Sequence, residues 1–166
     1  MPNPFWKVPK ALNPMLCAAL DRQHPRDLFD VHLLLRHEGI TPPVLTAFLV
    51  YLISHARPIA ALLDPPLRDL RAAFARDLRG MTARPISCEE LIEARVEMIR
   101  RLREGLTAAH RSFLLSFQQS RPRWELLKVP HAKHMSAVQW RLREIAATRP
   151  GQNSRALTQL RELLGL

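Results

Sequence analysis

The sequence predicts an all-α protein, an irregular bundle of about seven helices. Three observations lead there. Apolar residues recur at spacings of three and four in segment after segment, prolines and glycines fall where such segments begin and end, and alternating strand patterns are scarce. The 166 residues, 47% hydrophobic and 24% charged, are enough for one core and exclude both wholesale disorder and a fibrous repeat. The longest apolar run, Ala47 to Ile53, is far shorter than the ~20 residues that cross a bilayer, and the N-terminus lacks the apolar stretch of a secretory leader. The expectation is a cytoplasmic chain without membrane contact, with an irregular lead-in over residues 1–14 and a single helical domain over 15–166.

Pro2, Pro4, Pro9 and Pro14 keep the lead-in from forming regular helix. A short helix follows from Met15 and ends near Asp21. Pro25 suits the first position of the next helix, in which Leu28, Val31 and Leu35 share a face and Gly39 is the terminator. Thr41 before Pro42 and Pro43 opens a third helix through Val44 to Ile53, although Val50, Tyr51 and Ile53 would also suit a buried strand. After Pro65 and Pro66, helical spacing of Leu67, Leu70, Phe74 and Leu78 runs to Gly80. Ser87 and Glu90 form the S-x-x-E capping box of a helix that reaches Glu104, with Leu91, Ile99 and Leu102 inward and Glu97 and Arg101 paired outside. Thr107 caps a helix containing Phe113, Leu114 and Phe117, which Arg121 and Pro122 end. The last two helices span Met135 to Ala147 and about Ser154 to Leu164, separated by Pro150 and Gly151.

Cys17 and Cys88 belong to no CxxC or Cys/His array and read as two buried thiols, not a disulfide or a zinc site. His131 and His134 form an H-x-x-H pair with no third ligand in view, and no metal site is assigned. The other histidines are scattered, and no serine or cysteine stands in the setting of an activated nucleophile.

Net charge is +10, which favours an anionic partner. Lysine occurs only at Lys7, Lys10, Lys128 and Lys133, so arginine carries most of the excess, in the manner of a GC-rich coding bias. The excess is nevertheless uneven. Arg121, Arg123, Lys128, Lys133, Arg141 and Arg143 face the single acid Glu125, and these six are the candidate nucleic-acid-binding residues. Trp124 and Trp140 lie within the same window. Stacking on bases is one reading for them, and core packing is favoured because Trp140 stands between Val138 and Leu142.

The densest charge between two apolar helices is Arg22, Arg26, Asp27 and Asp30. On a helix starting at Pro25, Arg26 and Asp30 are four apart and Asp27 and Asp30 three apart, so they share a surface. Acids in a first turn complement the helix dipole, and Arg22 lies where it can fold back onto them. Taken alone, this is a charge cluster fastening two helices.

Arg26-Asp27-Leu28-Phe29-Asp30, an R-D-x-x-D string preceded by Ala18-Ala19-Leu20-Asp21-Arg22, resembles the motif of the AbiEii/AbiGii-type nucleotidyltransferase toxins of abortive-infection and toxin-antitoxin systems. A looser likeness runs through Gly39, Phe48 to His55, Gly80-Met81-Thr82 and Phe113 to Phe117 as far as the Trp140 region. The resemblance implies the helical half of a polymerase-β-type nucleotidyltransferase, with Arg22, Arg26, Asp27 and Asp30 as its catalytic-motif residues and an acceptor such as tRNA. In that family the metal-binding carboxylates come from a Gly-Ser motif and an acidic strand upstream, and these residues contain no such motif. The family's leading lysine falls at Met15. The expectation is therefore a truncated or partial toxin-like protein, inactive alone and without a cofactor of its own, needing NTP and Mg²⁺ only where a complete site is assembled. Implied partners are an antitoxin or a separate N-terminal catalytic half, and RNA. The alternative is a non-catalytic basic helical module that binds an antitoxin, a separate catalytic subunit or RNA.

Overall fold

A computed structural model describes residues 14–166, so the lead-in expected up to Pro14, with Lys7 and Lys10, lies outside the described residues except for Pro14 itself. The described residues form nine α-helices and two 3-10 turns without a strand, two helices more than the periodicity suggests. They gather into two compact units, residues 14–48 with 65–105 and residues 49–64 with 106–166.

In the first unit, α1 (Met15–Arg22) stops at Gln23, whose left-handed φ of 51° turns the chain. Helix α2 (Pro25–His37) starts on Pro25, where a missing N–H costs nothing and the fixed φ is already helical. His24 caps it, its Nδ1 accepting from the Arg26 N–H at 3.2 Å. Leu28, Val31 and Leu34 make the buried face. At the far end Gly39 takes a φ of +71° and returns its N–H to the Leu34 carbonyl at 2.8 Å. Helix α3 (Pro42–Ser54) resolves the helix-or-strand choice, and its residues 42–48 belong to this unit.

The helix expected from Leu67 is shorter: α5 (Arg71–Asp77) begins four residues later. Its would-be first turn is a non-helical strap, because side chains serve its backbone instead. Gln23 Nε2 donates to the Pro66 carbonyl at 2.8 Å and Gln23 Oε1 accepts from the Arg68 N–H at 3.1 Å. Arg95 Nη1 donates to the Arg68 carbonyl at 2.7 Å. With those groups satisfied, the segment has little to gain from helical bonds.

Helix α6 (Cys88–Gly105) is the long partner of α2. Both arms of its capping box form: Ser87 Oγ accepts from the Glu90 N–H at 3.1 Å, and Glu90 Oε2 accepts from the Ser87 N–H at 2.8 Å. Ser87→Ala is expected to cost about 1 kcal/mol, read as a lower urea midpoint with unchanged slope. Leu91, Met98 and Leu102 are buried, whereas Ile99, expected inward, is only half-buried. The expected outer pair forms, Arg101 Nε meeting Glu97 Oε1 at 2.6 Å, and Arg100 joins it from Nη2 at 2.8 Å. These two guanidiniums hold the Glu97 carboxyl down at about 2. Cys17 and Cys88 are free, buried thiols.

The second unit holds residues 49–54 of α3, the five-residue α4 (Ile59–Leu63), α7 (Ala108–Gln118), α8 (Ser136–Ala147) and α9 (Pro150–Leu164). Thr107 caps α7 as its position suggests, and the reciprocal arm comes from an imidazole: His110 Nδ1 accepts from the Thr107 N–H at 3.3 Å. Burial lowers the His110 pKa, which suits an acceptor nitrogen. Phe113 is fully buried against Trp124, ring centroids 5.5 Å apart, and Phe117, 6.1 Å apart. Trp124 lies in a 3-10 turn (Trp124–Leu126). Pro150 and Gly151 do not separate the last two helices. Pro150 occupies the first position of α9, so that helix starts earlier than about Ser154.

Candidate functional site

The motif residues meet at the corner between α1 and α2. Arg22, the last residue of α1, forks onto Asp27 in the first turn of α2, Nε to Oδ2 at 3.1 Å and Nη2 to Oδ1 at 2.8 Å. The fold-back expected of Arg22 therefore occurs, with Asp27 largely covered and Arg22 exposed. A bidentate guanidinium-carboxylate pair fixes orientation as well as charge. Arg26 turns away from Asp30. Its Nε donates to the Asp77 main-chain carbonyl at 3.2 Å.

Asp77 is a member of this cluster that sequence reasoning missed, along with His24. Its carboxylate meets Arg76 Nε at 2.8 Å and His24 Nε2 at 3.1 Å. Arg76 first, and His24 after it, hold the Asp77 carboxyl down at about 2. Since His24 Nδ1 accepts from the Arg26 N–H, the neutral imidazole carries its proton on Nε2 and donates it to Asp77. The cap position of His24 was visible just before Pro25. Asp77 stands some fifty residues away, with nothing local to mark it.

Asp30 differs from the other three. It is exposed on α2, one turn beyond Asp27, and no hydrogen bond or ion pair engages it among the described residues. Partial desolvation, and after it the Asp27 charge, raise its carboxyl above the ordinary value. Asp30 is thus the motif carboxylate still open to an incoming group. Beneath the corner, Arg95 of α6 is buried and donates to Gln23 Oε1 at 3.0 Å. Gln23 and Arg95 also escaped sequence reasoning.

In the second unit, Arg121, Arg123, Lys128, Lys133 and Arg143 are exposed. Arg141 is half-buried, and burial pulls its pKa below the usual arginine value. Trp140 corrects the core expectation, being 46% exposed. Val138 and Ile145, seven apart, take the buried stripe of α8, and a residue two after Val138 points well away from it. Trp124 does pack against the phenylalanines. His131 and His134 are exposed in a 3-10 turn (Pro130–His134). Among the described residues no group of three His, Cys, Asp or Glu side chains could hold a metal ion, and no helix is long and apolar enough to cross a membrane.

No curated protein and no solved structure matches the chain. One family model does, that of the nucleotidyl transferase AbiEii toxin, type IV TA system, over residues 16–140. That match covers most of the chain and includes both the Arg22 to Asp30 corner and nearly all of the basic window, so the chain belongs to the AbiEii nucleotidyltransferase toxin family.

Proposed function

We propose that these residues supply the helical, motif-bearing part of a nucleotidyltransferase toxin that adds nucleotides to an acceptor such as tRNA, with the metal-binding carboxylates brought by residues outside the described ones. The observation that carries this reading is Asp30. Arg22 occupies both oxygens of Asp27 and Arg26 is spent on the Asp77 carbonyl, whereas Asp30 is exposed and without an ion-pair partner. Mg²⁺ commonly takes one or two protein carboxylates and completes its shell with substrate phosphates and water. The described residues do not form a resident cation site, yet Asp30 fits the role of one such carboxylate toward an ion that arrives on a triphosphate. That ion supplies charge neutralisation at the phosphates. Arg22 and Asp27 keep the corner rigid, and Arg26 with His24 ties α2 to Asp77, so Asp30 is presented from a fixed helix. An acceptor RNA is drawn by the exposed cations from Arg121 to Arg143, with Trp140 available to a base.

Calorimetric titration of each NTP with Mg²⁺ tests the reading, with Asp30→Ala as the control. Expected are a Mg²⁺-dependent component of saturable NTP binding that the variant loses, and no transfer of labelled nucleotide to tRNA by this chain alone. NTP binding that gains nothing from Mg²⁺, or a Mg²⁺-dependent component indifferent to Asp30→Ala, would overturn the assignment of Asp30. Transfer by the chain alone would overturn the need for outside carboxylates.

A second reading rests on exposed apolar side chains beside the motif. Met81 is 64% exposed and touches Arg26 through its sulfur, and Leu33 lies one turn from Asp30 on α2. A surface of that kind suits a protein partner, either an antitoxin or a separate catalytic half.

A further inference from the structure

A pocket of about 490 Å³ opens in the first unit between α2, the turn over residues 83–86 and the start of α6. Its rim carries four basic side chains, His32, Arg36 and His37 from α2 and Arg84 from the turn. None of the four side chains makes a hydrogen bond or ion pair among the described residues, and Arg36 and Arg84 are exposed. The single acid on the lining, Glu90, is already committed. Its carboxylate accepts from the Ser87 N–H, and that bond lowers its pKa, with smaller contributions from His32 and Arg36. Phe29, Leu33, Pro85 and Ile86 provide an apolar wall.

We propose that this pocket binds a nucleoside monophosphate unit, its phosphate on Arg36 and Arg84 and its base against Phe29 and Leu33. The volume lies within the range of small-molecule sites, about 300–1,000 Å³. Two planar guanidiniums suit a phosphate, which accepts paired N–H bonds from each. An aromatic and aliphatic wall suits a base whatever its identity. An extended acidic peptide is a poorer match, because no strand edge lines the pocket to pair with a peptide backbone. The unit is either a free nucleotide or one residue of an RNA strand. Leu33 follows Asp30 by three positions on α2, so the pocket lies beside the motif carboxylate. In the setting of the proposed nucleotidyl transfer, whose reading this sense of the site depends on, the pocket would hold a nucleotide of the acceptor next to Asp30. Binding itself needs neither Mg²⁺ nor that reading.

The test is calorimetry on the full chain in EDTA, with inorganic phosphate, AMP, UMP and a short single-stranded RNA as separate titrants, and a hexaglutamate peptide as the competing class. Expected is saturable, salt-sensitive binding of the nucleotides, tighter than that of phosphate. Arg36→Ala and Arg84→Ala should each weaken it by about tenfold, since a charge-assisted bond to phosphate is lost. Both arginines are exposed, so these variants should keep the fold, and circular dichroism checks that they do. A free-nucleotide site gives AMP and UMP affinities no weaker than the RNA; an acceptor site gives tighter RNA binding that the same two variants remove. Either pattern supports the pocket. No saturable nucleotide binding, binding untouched by both variants, or tighter binding of hexaglutamate overturns it. Asp30→Asn should leave this EDTA-resistant binding in place. Loss of pocket binding while NTP with Mg²⁺ still binds through Asp30 overturns the pocket alone, and the reverse result overturns only the role of Asp30.

Discussion

Phe113→Ala is expected to destabilise the protein by about 3–5 kcal/mol, because it removes a fully buried ring from between two other aromatics. The loss has two parts. Burial of the deleted ring atoms is forfeited, and the surrounding side chains close only partly over the space left behind. Trp124 loses its nearest ring neighbour, 5.5 Å away, and with it a contact that holds the 3-10 turn onto α7. Phe113→Leu keeps most of the volume and should cost much less, about 1–1.5 kcal/mol. Against a total stability of about 5–15 kcal/mol for a domain, a loss of that size is between about a fifth and the whole of it. Guanidinium unfolding followed by tryptophan emission measures both. A cost below about 1.5 kcal/mol for the alanine variant would show that the aromatic cluster collapses freely around the gap, contrary to the packing argued here.

Much of the helical order was legible in the sequence because the signals are local. Pro25, Gly39, Thr107 and the Ser87/Glu90 box act within a few residues of the helix end they define, and each does so in the structure. The departures arise where distant side chains decide. Leu67 and Leu70 carry helical spacing, but Gln23 and Arg95 satisfy the backbone of that strap from 27 to 45 positions away, so α5 starts late. The five residues of α4 are too few for periodicity to register. Trp140 has apolar neighbours in sequence yet stands off the buried stripe set by Val138 and Ile145. The same division runs through the candidate site. Arg22, Arg26, Asp27 and Asp30 could be chosen from spacing and resemblance, and the Arg22–Asp27 fork follows from their closeness. That Arg26 would turn to the carbonyl of Asp77, leaving Asp30 unpaired, depends on a residue brought in from α5.

Arg95→Ala should be the second costly change, at about 3 kcal/mol, for reasons that differ from those for Phe113. Arg95 is 5% exposed, and among the described residues no carboxylate bonds to it. Its Nη1 serves two acceptors, Gln23 Oε1 and the Arg68 carbonyl, while its Nε is buried without a partner. Removing the guanidinium leaves Gln23 Oε1 with the Arg68 N–H, but it strands the part-buried Arg68 carbonyl, at about 1 kcal/mol. The rest comes from the space vacated by the aliphatic stem. Arg95→Met fills that space and also removes a buried charge and an unsatisfied donor, so it should cost about half as much. Gln23 is the other half of the device. It turns the chain with a left-handed backbone, and its amide holds the strap at Pro66 and Arg68. Arg95→Ala and Gln23→Ala should therefore be non-additive, with a coupling of about 0.5–3 kcal/mol in a double-mutant cycle read from urea midpoints. Simple additivity would mean that the two side chains act separately. Coupling would mean that one buried network sets the angle between α1 and α2, and with it the Arg22–Asp27 fork that holds Asp30 in place.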